Sequence, residues 1–173
     1  ESGGQVSDTG LIRGEKGAVR VTAMKKMPTG QIVHIGMVAE GTIELGEKVH
    51  AEVDVERRLS IMRNHTAAHL LQAALRAVLG DHVHQAGQLV DGHVVRFDFT
   101  HFEPMTHAEI SAVEGMINHK IMECIPVENY EEDLETARKE GAMALFSEKY
   151  GSTVRVVRIG DYSMELCGGT HVG

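Results

Sequence analysis

The sequence predicts an α+β fold, with a small N-terminal antiparallel β-barrel ahead of a mixed domain. Three observations predict it. Short β-type runs separated by turn signals fill the stretch from Gly17 to Asp54. Two long stretches further on carry helical apolar periodicity, and after the first of them strands and helices alternate without a regular βαβ beat. At 173 residues and 42% apolar content, the chain can bury the core of one ordinary domain or two small ones. Aromatics make up 4% and Trp is absent, so the core is expected to be aliphatic, filled by Val, Leu, Ile, Ala and the nine Met.

The opening residues, from Glu1 to Gly10, mix glycine with small polar residues and read as a loop. Ala18–Ala23 and Gln31–Val38 read as strands, punctuated by Pro28-Thr-Gly30, Gly41 and Gly46-Glu47, and Val49–Val55 alternates as the last strand of the barrel. A helix is expected from about Ser60 to Leu79. Leu70, Leu71, Ala74, Leu75, Val78 and Leu79 form its apolar face, with Asn64 placed as N-cap and Gly80 as the left-handed residue past its end. Leu89-Val90 and Val94–Phe99 form a hairpin through Asp91-Gly92, with Phe97 and Phe99 on one face and Arg96 and Asp98 on the other. Thr106 and Glu109 make a capping box for a second helix, to about Glu123, whose stripe is Ile110, Val113, Met116/Ile117 and Ile121. Then follow a strand at Pro126–Tyr130, a short helix near Glu132–Lys139, a helical turn at Met143–Phe146, and strands at Val154–Ile159 and Tyr162–Leu166. The domain boundary falls at about residue 56, giving segments 1–56 and 57–173.

A formal net charge of −8 argues against a generally basic, nucleic-acid-binding surface. The acidic group Glu128, Glu131, Glu132, Asp133 and Glu135 reads as a solvated stretch. No run approaches the roughly 18–20 apolar residues of a membrane span, and no secretory signal is visible. Two cysteines are too few for a disulfide scaffold, which places the chain in a reducing cytosol. It begins at Glu1 without Met and reads as a piece of something longer.

The chemistry starts at His65 and His69, one turn apart on the first helix and pointing the same way. With eleven His, an i, i+4 pair is expected by chance on the order of once. A Cys followed four on by a His is expected only about a tenth of a time, yet Cys167-Gly-Gly-Thr-His171 is present. Its glycines allow a tight turn that faces thiolate and imidazole to one point. Three nitrogens and one sulfur suit tetrahedral Zn²⁺. The H-E-x-x-H motif of metalloproteases is excluded, because Thr66 and Ala67 stand where its general base would be. Cys124 reads as a small core residue. His34, His50, His82, His84, His93, His101, His107 and His119 have no motif partner and read as surface or packed residues. Arg155 and Arg158 read either as a solvated strand face or as groups approaching a nucleic acid end.

His65-Thr-Ala-Ala-His69-Leu-Leu, Arg96-Phe-Asp-Phe99, Gly141-Ala-Met-Ala-Leu-Phe146 with Glu148-Lys-Tyr150, and Cys167-Gly-Gly-Thr-His171 resemble the editing domain of alanyl-tRNA synthetases. Ser2-Gly-Gly-Gln5 and Asp8-Thr-Gly10 resemble that family's glycine-rich loop. The resemblance runs in order over the whole chain. Free-standing editing proteins and threonyl-tRNA synthetase share parts of it, and the Ala-Met-Ala-Leu-Phe segment favours the synthetase-embedded form. It implies a translation-factor-like β-barrel, then the α+β second additional domain common to threonyl- and alanyl-tRNA synthetases. It implies hydrolysis of seryl- or glycyl-tRNA(Ala) at the acceptor end, in the cytoplasm, with the rest of the synthetase, including its ATP-binding part, in cis. The zinc ligands it implies are His65, His69, Cys167 and His171. Gln85 would be the catalytic residue at the scissile ester, and Gly4, Gln5, Ala68 and Asp98 would border the substrate.

The alternatives are a zinc-stabilised module that binds the acceptor end without hydrolysis, and a free-standing trans-editing enzyme. Four protein ligands are the pattern of a closed, structural zinc, so the ion either shapes the pocket or acts with one ligand displaced. The chain departs from the family at Ala68, where a Thr hydroxyl is usual, and Thr66 lies about 160° away around the helix. It also stops at Gly173, so His171 is expected near a fraying end.

Overall fold

A computed structural model describes residues 2–144 and 151–173. It shows an α+β chain of three helices and ten strands among the described residues: β1 (Gly10–Arg13), β2 (Gly17–Lys26), β3 (Ile32–Gly41), β4 (His50–Val53), α1 (Val55–Leu79), β5 (Gln85–Val90), β6 (Val95–Phe99), α2 (His107–Met122), β7 (Val127–Asp133), α3 (Leu134–Lys139), β8 (Met143–Ala144), β9 (Thr153–Ile159) and β10 (Ser163–Leu166). Two compact units divide inside α1. One is Val6–Ser60; the other is Ile61–Gly173 together with the first residues through Gln5. None of the described helices is long and apolar enough to cross a membrane.

The first unit is a four-stranded antiparallel sheet in the order β3-β2-β1-β4. The expected barrel is met only as an open sheet: closure would require β3 to pair with β4, and no such pairing exists among the described residues. Register shifts at Ala18/Val19 and Val21/Ala23 interrupt the β2–β3 ladder, the kind of irregularity that increases local twist. β1 lies in the middle of the sheet, Gly10 facing both Val21 and Val53, although its four residues show no alternation in the sequence. Asp8, in the loop before it, is bound by the Arg58 guanidinium, Nε to Oδ1 at 2.7 Å. Arg57 donates to the Ser7 carbonyl at 2.7 Å. The Asp8-Thr-Gly10 signature is therefore an anchor for the start of α1.

α1 begins at Val55, earlier than the apolar pattern indicates. Asp54 caps it, its Oδ1 accepting from the Arg57 backbone N–H at 3.1 Å. Asn64 is not the cap: it lies inside the helix and its side chain donates to the Asp91 carbonyl at 2.7 Å. The polar run Glu56-Arg57-Arg58 carries no apolar rhythm, so nothing in the periodicity marked those turns. The far end is as expected, Gly80 taking φ +114°.

In the second unit α1 buries Ile61, His65, Ala68, His69, Gln72 and Leu75, a stripe at i, i+3/i+4 spacing. Ala74 and Leu75 join Val83, Val113, Phe97, Phe99, Met105, Met116 and Ile117 in one core between α1, α2 and the β5–β6 hairpin. Asp91 closes that hairpin, its Oδ1 accepting from His93 N at 2.7 Å and Val94 N at 2.8 Å. Phe97 and Phe99 face the core while Arg96 and Asp98 pair outside it at 3.2 Å, as alternation requires. Thr106 caps α2 in a complete capping box with Glu109. The α2 stripe is narrower than expected, because Ile110 and Ile121 are exposed. Cys124 is not a core residue: it is exposed just past the helix, at φ 49°.

A second core sits under the sheet β7-β9-β10-β8, where Ala137, Ala142, Val154, Val156 and Leu166 pack with Tyr130, Leu134 and Met164. The expected helical turn at Met143 is instead strand β8, paired parallel with β10 through Met143↔Glu165 and Ala144↔Leu166. A short apolar run reads equally as helix or strand. Leu145, Phe146 and Glu148-Lys-Tyr150 lie outside the described residues. β10 ends at Leu166, delivering Cys167 directly from a buried strand.

Thr106→Ala removes the α2 cap and is expected to lower unfolding stability by about 1 kcal/mol in denaturant titration. Gly115, exposed within α2 with open space around its Cα, is expected to raise stability by about 0.5–1 kcal/mol when replaced by Ala.

Candidate metal centre

α1 presents His65 and His69, and the loop after β10 presents Cys167 and His171. All four are buried, and one donor atom from each lies within 4.8 Å of every other. Imidazole centroids are separated by 5.6 Å for His65–His69, 4.4 Å for His65–His171 and 4.6 Å for His69–His171. Cys167 Sγ lies 3.5 Å from His65 Nε2 and 3.4 Å from His171 Nε2. A tetrahedral zinc with ordinary Zn–N and Zn–S bonds spaces such atoms by roughly 3.6 Å. The donor set fits the ion, and so does His69 Nε2, a buried ring nitrogen with no hydrogen-bond partner.

Each imidazole meets an oxygen at its other nitrogen. His65 Nδ1 donates to Gln5 Oε1 at 2.8 Å. His171 Nδ1 is hydrogen-bonded to Thr66 Oγ1 at 3.2 Å. His69 Nδ1 lies 2.9 Å from Glu165 Oε2, a close charge contact whose angles fall outside an aligned hydrogen bond. Oxygen partners of this kind hold ligating imidazoles with Nε2 turned inward. Gln5 does more than hold His65, since its Oε1 also accepts from Thr170 N at 2.9 Å and Thr170 Oγ1 at 3.1 Å.

The electrostatics prepare the ligands. Burial disfavours a Cys167 thiolate, yet the hydrogen bonds it shares with His171 and His65 and the nearby His69 imidazole outweigh it and pull the thiol well below its ordinary range. Burial also opposes charge on His69, but the Glu165 carboxylate and the Cys167 sulfur hold that imidazole well above the ordinary histidine range. His171 is pushed down, chiefly by burial and by the neighbouring imidazoles. Both shifts favour a thiolate at Cys167, the form in which sulfur binds an ion.

His171 does not fray. It is 4% exposed, tied to Thr66 and Cys167, and Val172 N donates to Thr66 Oγ1 at 3.2 Å. The glycines of the Cys167 loop serve a purpose other than the tight turn alone: a methyl group on Gly169 would overlap the His65 ring. Arg155 is used here too, donating to the Gly169 carbonyl and to Asn129 Oδ1. Arg158 pairs with Asp161 at 3.0 Å.

Other residues singled out in the sequence lie around this centre or on the hairpin. Ala68 is buried, 2% exposed, between the two α1 ligands. Gly4 has φ +74° and its carbonyl accepts from Val90 N at 2.9 Å, which lays the first loop along β5. Gln85 opens β5 opposite Phe99, beside a register shift. Both its side-chain amide atoms are buried without a partner. Asp98 is exposed, with its carboxylate over Gly87 and paired with Arg96. The residues that sequence reasoning missed are Glu165 and Thr66, and no local motif marks either. Of the remaining histidines, His82 and His101 bond each other at 2.8 Å and His119 lies 3.0 Å from Glu123.

Two family models match this chain: tRNA synthetases class II (A) over residues 1–57, and the threonyl and alanyl tRNA synthetase second additional domain over residues 154–173. The first third of the chain is thus similar to class II synthetases and its end to the second additional domain. Curated alanine–tRNA ligases are similar over essentially the whole chain. That of Acetivibrio thermocellus is 56% identical over 172 residues, covering 99% of this chain and 20% of the relative. Those of Streptococcus mutans and Bacillus velezensis are 53% and 52% identical, with the same coverage of each. Over essentially its whole length the chain is homologous to alanine–tRNA ligases, and its last twenty residues match the second additional domain of threonyl and alanyl tRNA synthetases. It spans about a fifth of the length of these relatives.

Gly169→Ala is expected to abolish uptake of zinc, measured by elemental analysis after dialysis against the metal, while the unaltered chain takes up one ion.

Proposed function

We propose that this chain is the editing hydrolase of a synthetase, cutting the ester that joins serine or glycine to the acceptor end of tRNA(Ala). One observation carries the reading: a buried convergence of three imidazoles and a thiolate in a chain whose relatives are alanine–tRNA ligases. Zinc is the ion this donor set suits best, held by His65, His69, Cys167 and His171. When bound, it supplies a positive charge that polarises an ester carbonyl or shapes the pocket around one. In this reading residues 1–56 form a translation-factor-like β module, residues 57–173 form the editing domain, and the rest of the synthetase acts in cis in the cytoplasm.

The chain's own residues do the positioning. An aminoacyl ester is already activated, so a held water and a polarised carbonyl matter more than a strong base. Gln85 offers a donor and an acceptor with no internal partner, the pair needed to hold an ester and a water. Gly4 and Gln5 border the pocket, with Gln5 fixing His65 and the Cys167 loop. Asp98 brings a carboxylate to the same hairpin.

Selection is the harder task. A site sized for alanine cannot exclude glycine, and serine differs only by a hydroxyl, so a second, polar site is required. Ala68 contributes no hydroxyl, and that of Thr66 is committed to His171 and Val172. Serine must therefore be read by Gln85 and the metal centre, and discrimination against alanine is expected to be weaker than with Thr at position 68.

Incubation with seryl-tRNA(Ala) is expected to release serine. His69→Ala should lose metal and hydrolysis together, whereas Gln85→Ala should keep the metal and slow hydrolysis roughly 100-fold. Zinc-loaded protein that deacylates no faster than buffer overturns the enzyme reading and leaves a module that binds the acceptor end.

A further inference from the structure

We propose that Glu165 is the positioning residue of the metal centre, orienting His69 and supplying the buried counter-charge that the loaded centre needs. The inference rests on the metal-binding reading above. Glu165 is 2% exposed, and carboxylates are almost never that buried without a partner that needs them. Its Oε2 lies 2.9 Å from His69 Nδ1, and its Oε1 accepts from Ser163 Oγ at 3.3 Å. With Nδ1 facing a carboxylate 2.9 Å away, Nε2 is the nitrogen left to ligate, and neither ring nitrogen has an aligned hydrogen bond to hold it elsewhere.

Charge makes the second half of the argument. A divalent ion bound by one thiolate and three neutral imidazoles leaves a net charge of +1 in a buried site. The oxygens that meet His65 and His171 belong to an amide and a hydroxyl, Gln5 and Thr66, and carry no charge. The Arg155 guanidinium on the Gly169 carbonyl adds a further cation beside the loop. Among the described residues, the Glu165 carboxylate is the one charged oxygen partner of the ligands and offsets that +1, and an uncompensated buried charge is strongly destabilising. β10 carries Glu165 and ends one residue before Cys167, so one short segment brings both anions to the centre.

The test measures zinc affinity by competition with a chromophoric chelator, together with the absorption spectrum of the Co²⁺-loaded protein. It uses the chain itself, Glu165→Ala, Glu165→Gln and Glu165→Asp. Glu165→Ala is expected to bind zinc about 10–100-fold more weakly. Glu165→Gln keeps an oxygen but not the charge, and should lose about tenfold and shift the Co²⁺ bands. Glu165→Asp should recover part of the affinity. Melting of the metal-free proteins separates this role from packing. Wild-type zinc affinity and an unchanged Co²⁺ spectrum in Glu165→Gln overturn the proposal. So does a loss of binding that only follows a loss of folded protein. If the unaltered chain takes up neither zinc nor Co²⁺, the metal reading itself falls, and this inference with it.

Discussion

The second unit depends on one constraint: four side chains that prefer water or a metal are held together where water is excluded. Burying an imidazole nitrogen without a partner costs on the order of 1–3 kcal/mol, and here three rings and a sulfur share one small volume. The surrounding chain meets this cost by giving each ring an oxygen on its outer side, from Gln5, Thr66 and Glu165. Those oxygens come from the first loop, from α1 itself and from β10. The positions of three otherwise separate segments are therefore set by what the imidazoles require.

Apolar packing on either side of the centre also holds the fold together. Aliphatic residues of α1 pack with α2 and the β5–β6 hairpin in one core, and α3 packs against its sheet in another. α1 thus has two buried arcs, one apolar and one carrying His65, His69 and Gln72. This separates duties along a single helix. The apolar arc makes the helix fold, and the polar arc is free to be selected for chemistry. Ala68, between the ligands, is small enough to belong to either arc.

What was legible in the sequence follows from distance along the chain. The ligands lie in two local motifs, each with internal spacing of four residues, and local spacing survives the loss of the third dimension. The capping box at Thr106 and the Asp91 turn are local in the same sense, and both are present as expected. Glu165 and Thr66 were illegible because their partners lie far off: Thr66 reaches His171, 105 residues away. The start of α1 was missed because its first turns are polar and secured by Asp8 and Ser7, not by an apolar face. Cys124 and Met143 misled for a related reason. A small or flexible apolar residue beside a helix end carries no periodic signal to separate core from surface, or helix from strand.

The amide oxygen of Gln5 has a consequence for how the molecule comes into being. It is bonded to a residue 60 positions later and to another 165 positions later. During synthesis this loop is made well before Thr170, the partner that lies near the far end of the stretch. Closing so long a loop adds little free energy beyond closing a shorter one, but it cannot happen sooner. His65 and His69 are made about a hundred residues before the other two ligands, so their set cannot be completed sooner. The site is completed last, in one step that recruits the oldest and newest parts of the stretch together, so a chain halted before Cys167 would hold the helix and half of the ligands and bind no ion tightly.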